Sequence, residues 1–127
     1  MLLDSEDCLR QVMAIQGALG ATLVDYTSGC TVRSAGRVPG NAHDSAAAGV
    51  TDIVQATLTS AAVATVGRPG HIEDIVVTAG NGYHLVHFVT GRADARLVLY
   101  VWLDRMLGNL AMTQRRLRAT VASLVAG

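Results

Sequence analysis

The sequence predicts an α/β domain of the α+β kind, with three layers built around a largely antiparallel sheet. Three observations predict it. Hydrophobic period and turn residues read, in order, helix, two-strand hairpin, helix, three-strand meander, helix. An Asn81-Gly82 pair marks a tight reversal inside the meander. Residues 97–103, Leu-Val-Leu-Tyr-Val-Trp-Leu, are seven consecutive apolar residues without alternation, the mark of a strand buried on both faces. Such a strand belongs in mid-sheet, with helices above and below.

Asp4 is positioned to cap the first helix, and Glu6 and Asp7 complement its dipole. Leu9, Val12 and Met13 fall on one face before Gly17 stops the helix. Residues 18–24 and 31–34 flank Asp25-Tyr26-Thr27-Ser28-Gly29, a polar segment ending in Gly that suits a reversal between strands. From about 41 to 64 only Gly49 interrupts a helical spacing of Val50, Ile53, Val54, Thr57, Leu58 and Ala61, with Ala46, Ala47 and Ala48 upstream. These small residues let another backbone approach closely, either the domain's own sheet or a second copy of the helix.

Gly67-Arg68-Pro69-Gly70 then breaks the chain, and strands 72–78 and 83–90 meet at Gly80-Asn81-Gly82. Gly91-Arg92-Ala93-Asp94 turns the chain into the apolar strand 97–103. Asn109 caps a last helix with Leu110, Leu117, Val121 and Leu124 on its apolar stripe and Arg115, Arg116 and Arg118 mostly off it. No internal repeat or linker divides residues 1–127, so a single domain is expected.

Ten Arg balance ten Asp and Glu, and there is no Lys. Without a net positive field and with one Phe and one Trp, nucleic acid is not an expected partner. No apolar run reaches the roughly 18 residues of a membrane span, and acids occupy the N-terminus where a secretory signal carries bases. Membrane insertion is not expected, and the cytoplasm is the expected compartment. Cys8 and Cys30 lack the paired spacing of a zinc or redox site and are each expected to be small buried hydrophobes.

The motifs of chemistry are missing. His84 and His87 are three apart on a strand and point to opposite faces, so they do not share a metal without a bulge. His43-Asp44 is half of a metal-phosphohydrolase motif without its other half. His71 is expected at a loop or strand start. A phosphate-binding loop ending in Lys is impossible here, and no nucleophile elbow is present. No catalytic residue, cofactor or metal is expected. The Arg115, Arg116 and Arg118 group reads as a solvated face or as a contact for an acidic protein. Strand 72–78, opening a meander after a long helix, is a candidate sheet edge. There Glu73 and Asp74 either guard the edge or lie beyond it, leaving Ile75 to Thr78 to join a partner.

The order of elements, the run Ile15-Gln16-Gly17-Ala18-Leu19-Gly20-Ala21-Thr22-Leu23-Val24-Asp25 with the Gly29 turn, and Gly82-Tyr83-His84-Leu85-Val86 together resemble the roadblock/dynein light chain 7 family over nearly the whole chain. His84 and His87 depart from the apolar residues usual on that strand. The resemblance implies a five-stranded antiparallel sheet with one long helix on one face and the two terminal helices on the other. It also implies a homodimer or heterodimer through the long helix (Val50, Ile53, Val54, Thr57, Leu58, Ala61) and the third strand (Ile75, Val76, Val77, Thr78). The function it implies is a non-catalytic regulator or scaffold of a small Ras-like GTPase, with nucleotide and magnesium held by that partner, as in bacterial signalling complexes. An arginine finger from Arg68, Arg92 or the last helix stays open. A small-molecule sensor with a cavity beside Tyr83, His84 and His87 is the alternative reading, and a hydrolase the third.

Overall fold

The computed structural model describes residues 3–60, 72–89 and 96–124. In chain order it contains α1 (Ser5–Met13), β1 (Ala18–Asp25), β2 (Cys30–Gly36), α2 (His43–Thr59), β3 (Asp74–Ala79), β4 (Gly82–Phe88), β5 (Leu97–Leu103) and α3 (Leu110–Ala122), with a short 3-10 turn at Pro39–Asn41. The strands form one antiparallel sheet in the order β2-β1-β5-β4-β3. The unbroken apolar strand β5 is central, as its lack of alternation requires. β2 and β3 are the edges.

Alternation along each strand sorts the side chains into two layers. On one face Ala21, Leu23, Leu85, Leu99, Val101 and Leu103 meet Leu9 and Val12 of α1 and Leu117 and Val121 of α3. On the other, Val24, Val86, Phe88, Val98 and Tyr100 share a core with Val38 and with Ala47, Val50 and Val54 of α2. The terminal helices touch each other, with α1 over β1 and β2 and α3 against β4. A parallel bridge from Leu3 to Leu124 ties their outer ends together. α2 lies over β1 and β2.

Local chemistry sets the ends of these elements. Asp4 accepts from the Asp7 amide at 2.8 Å and Asn109 from the Met112 amide at 3.0 Å, both supplying N-caps where the sequence places them. α2 has no side-chain cap, and ends at Thr59, where Ser60 turns extended. The meander turn lies within the expected Gly80-Asn81-Gly82 segment and is tighter by one residue: Ala79 pairs with Gly82, so Gly80 and Asn81 form the reversal and Gly82 begins β4. Gly82 has φ +139, and a Cβ there would stand 2.7 Å from the Leu103 carbonyl oxygen, so close approach to β5 demands glycine. Cys8 is buried, whereas Cys30 is exposed at the start of edge strand β2, which corrects the expectation that both are core residues. The end of α2 at Thr59 corrects the expected run of the helix to 64, while residues 61–64, the breaks at 67–70 and 91–94, His71 and Thr90 lie outside the described residues.

A candidate interaction face on α2 and β3

Because α2 sits over one half of the sheet, a groove of about 310 Å³ opens between it and the strands on the other half. Ser45, Ala46, Gly49, Val50 and Ile53 of α2 form one wall, and Val77, His84, Val86 and Tyr100 form the rest with Pro39. Ile53 and Val77 flank it at 41% and 42% exposure. Gly49 has open space where a Cβ would stand, so nothing among the described residues calls for the residue, which costs a helix about 1 kcal/mol relative to Ala. Beyond the groove, β3 pairs among the described residues with β4 alone.

The structure separates the residues that the sequence grouped. Val54 is fully buried and Val50 nearly so against their own sheet. Val54 therefore has no surface to offer a second chain, while Val50 reaches only the groove floor. Ile53 faces outward. Thr57 and Leu58 are half-buried, with Leu58 packed on the α2-side core. Ala61 lies outside the described residues. On β3, Ile75 packs on the α2-side core, Val76 packs on the opposite core, and Val77 and Thr78 are exposed.

The acids at the head of β3 turn towards α3. Glu73 meets Arg118 at 3.4 Å, and Asp74 accepts from Gln114 at 3.3 Å. Asp74 pairs with His87 inside the ladder, so it lies within the paired region and not beyond it.

The histidines take separate structural roles. His84 faces the groove and His87 the opposite core. The His84 Nε2–H donates to the Asn81 side-chain oxygen at 2.8 Å, leaving Nδ1 to accept from the Tyr100 hydroxyl at 2.8 Å. The Trp102 indole closes the network on the Asn81 carbonyl at 2.9 Å. Burial holds His84 below the ordinary histidine range and pushes the Tyr100 phenol up to about 12, so the pair is neutral near pH 7. His87 Nδ1 is buried without a hydrogen bond, 3.8 Å from an Asp74 oxygen. Burial lowers its proton affinity and Asp74 partly restores it. A cavity shared by Tyr83, His84 and His87 is ruled out, because only His84 lies on the groove side.

His43, the first residue of α2, carries a role that the sequence did not signal. Its Nε2–H donates to the Gly36 carbonyl at 3.0 Å, and its Nδ1 accepts from the buried Thr22 hydroxyl at 2.7 Å. Asp44 accepts from Thr31 at 2.8 Å. The His-Asp pair thus ties α2 to the β1–β2 hairpin. Among the described residues no three His, Cys, Asp or Glu side chains gather as a metal site, and no helix is long and apolar enough to cross a membrane.

An antiparallel five-stranded sheet between one long helix and two terminal helices is the fold of the roadblock/LC7 domains. The chain is similar to a roadblock/LC7 domain from Streptomyces avermitilis, with TM-score 0.73 and 19% identity over 95% of this chain and 94% of that one. It is also similar to MglB of Myxococcus xanthus, with TM-score 0.70 and 19% identity over 92% and 78% of the two chains. An MglB solved in a tetrameric arrangement gives TM-score 0.73 and 16% identity over 92% and 82%. No family model and no curated protein matches the sequence.

Proposed function

We propose that this chain is a non-catalytic regulator or scaffold of a small Ras-like GTPase that works as a homodimer through α2 and β3. The observation that carries the dimer is the unfinished face: an apolar groove with Ile53 and Val77 exposed at its rim, beside a β3 edge that is paired on one side only among the described residues. A second copy offers a matching helix and a matching edge, and an isologous pair buries the same patch on both subunits. Gly49 lets the helices approach, and Ile75, Val77 and Thr78 supply the edge and its outward side chains. The similar MglB in a tetrameric arrangement supports self-association.

The GTPase reading rests on the family resemblance together with the shared fold. A paired platform regulates hydrolysis by ordering a partner's switch loops or attacking water, without contributing a catalytic side chain. Capture of partners from source cells with and without a non-hydrolysable GTP analogue tests it. Nucleotide-dependent enrichment of a small GTPase is the expected result; a capture without any GTPase counts against the reading.

The His84–Tyr100–Asn81 network at the groove favours one second reading, a sensor of a small apolar molecule with a hydrogen-bonding group. A ligand-induced rise in Tm that leaves the protein monomeric would select it over the dimer.

A further inference from the structure

The α1–α3 layer, opposite the groove, carries a different surface. Three of the large apolar side chains exposed among the described residues lie within seven positions: Met106 at 91%, Leu107 at 63% and Met112 at 59%. Their exposure is built in. Asp104 accepts from the amides of Met106 at 2.9 Å and Leu107 at 2.7 Å, and its carbonyl accepts from Gly108 at 2.9 Å. The Asp104 amide is anchored on the Gly17 carbonyl at 2.8 Å, a Cβ on Gly17 would stand 2.6 Å from the Gly108 backbone, and one on Gly108 would stand 2.6 Å from the Asp104 carbonyl oxygen. The turn therefore holds two large apolar side chains out into solvent.

A groove continues from this tip. Leu107 abuts Gly17, and the neighbouring Ala14, Ile15 and Gln16 face Met112 and Arg116 of α3 across about 240 Å³. The Asp104 carboxylate in the turn is engaged by the Met106 and Leu107 amides, and beyond it the charged side chains are all arginines. From residue 105 onward the sequence contains Arg105, Arg115, Arg116 and Arg118 and no acid. Arg105 is pinned on the Ala79 carbonyl and over the Tyr83 ring, and Arg118 meets Glu73. Arg115 and Arg116 make no ion pair among the described residues.

We propose that the β5–α3 turn and the adjoining face of α3 form a docking surface for an acidic, leucine-bearing segment of a protein partner. Leu107 and Met112 take its apolar side chains, methionine adapting to their shape, and Arg115 and Arg116 take its carboxylates. Exposed apolar residues rimmed by polar ones mark interaction sites, and the charge rim selects the acidic partner. The surface lies on the layer opposite α2, so it stands whether or not the chain dimerises through α2 and whichever protein it regulates.

The test is fluorescence anisotropy with a labelled amphipathic peptide of leucine and glutamate at helical spacing, against its twin carrying lysine for glutamate. The glutamate peptide binds saturably, more weakly as salt rises, and the lysine twin does not. Leu107→Ser with Met106→Ser, and separately Arg116→Glu, each weaken binding about tenfold or more. All three positions are exposed, so circular dichroism and Tm confirm an intact fold. Absence of saturable binding, equal binding of both peptides, or unchanged affinity in the variants overturns the proposal. Binding to phosphatidylcholine–phosphatidylserine vesicles in place of the peptide overturns it too, assigning the surface to lipid.

Discussion

The two faces of the sheet are finished to different degrees. Over one face α1 and α3 lie side by side, covering both halves and enclosing Leu85, Leu99, Val101 and Leu103. Over the other, α2 covers β1 and β2, while Val77, His84 and Tyr100 line an open groove. Both faces come from the same strands by alternation, so their intrinsic apolarity does not explain the difference. Helix placement does. Two helices cover one face, whereas among the described residues the single helix α2 leaves part of the other open, the part that the proposed dimer gives to a second copy.

Variants that attack each face separate a core from an interface. The largest effect is expected for Val54→Asp, which puts an unpaired charge at a position with no exposed surface and costs about 3 kcal/mol or more; circular dichroism should show an unfolded or barely folded chain. A chain that stays folded would place Val54 on the outside of α2. On the closed face, Leu117→Ala should cost about 2–5 kcal/mol, read as a lower denaturant midpoint.

A pH series compares the two histidines across the faces. Both are held below their ordinary value of 6.5 by burial, so the unfolded chain takes up the proton more readily than the folded one. Stability contributed by the neutral rings is present above pH 6.5 and is lost as pH falls through their lowered folded values, with a slope of at most about 1.4 kcal/mol per pH unit for each proton. Urea midpoints from pH 7.5 down to about pH 5 measure it. His87→Leu should flatten this dependence more than His84→Leu, because His87 is sealed in the core with an unpaired Nδ1. The reverse order would make the groove side the drier one.

Asp4→Ala removes the α1 cap and should cost about 0.5–2 kcal/mol by the same denaturation. The smallest effect on stability, within about 0.5 kcal/mol for the monomer, is expected for Ile53→Ser, since that side chain is already part-solvated. Its effect should appear instead as a lost dependence of Tm on protein concentration.

Much of this architecture was legible in the sequence, for local reasons. β5 spans the seven apolar residues of its run, and Asp4 and Asn109 cap the helices they precede. The resemblance supplied the arrangement of the layers, and the double burial of β5 had already required helices on both faces. What escaped depends on contacts between distant segments. The Asn81-Gly82 pair signalled the reversal, but not that Gly82 belongs to β4, where it answers to the Leu103 carbonyl across the sheet. His43 binds Thr22 and Gly36, partners that no periodicity reveals. The division of α2 between an inward Val54 and an outward Ile53 was hidden because helical spacing marks an apolar stripe without saying where the sheet ends beneath it. The exposure of Met106 and Leu107 was equally invisible, since it comes from the Asp104 turn anchored at Gly17.

The central claim is that a second copy completes the open face, and sedimentation velocity on the wild-type chain beside Ile53→Asp tests it most directly. The account predicts a wild-type dimer and a folded Ile53→Asp monomer with an unchanged circular dichroism spectrum. A wild type that remains monomeric across the micromolar range, or a dimer that survives the substitution intact, would contradict it.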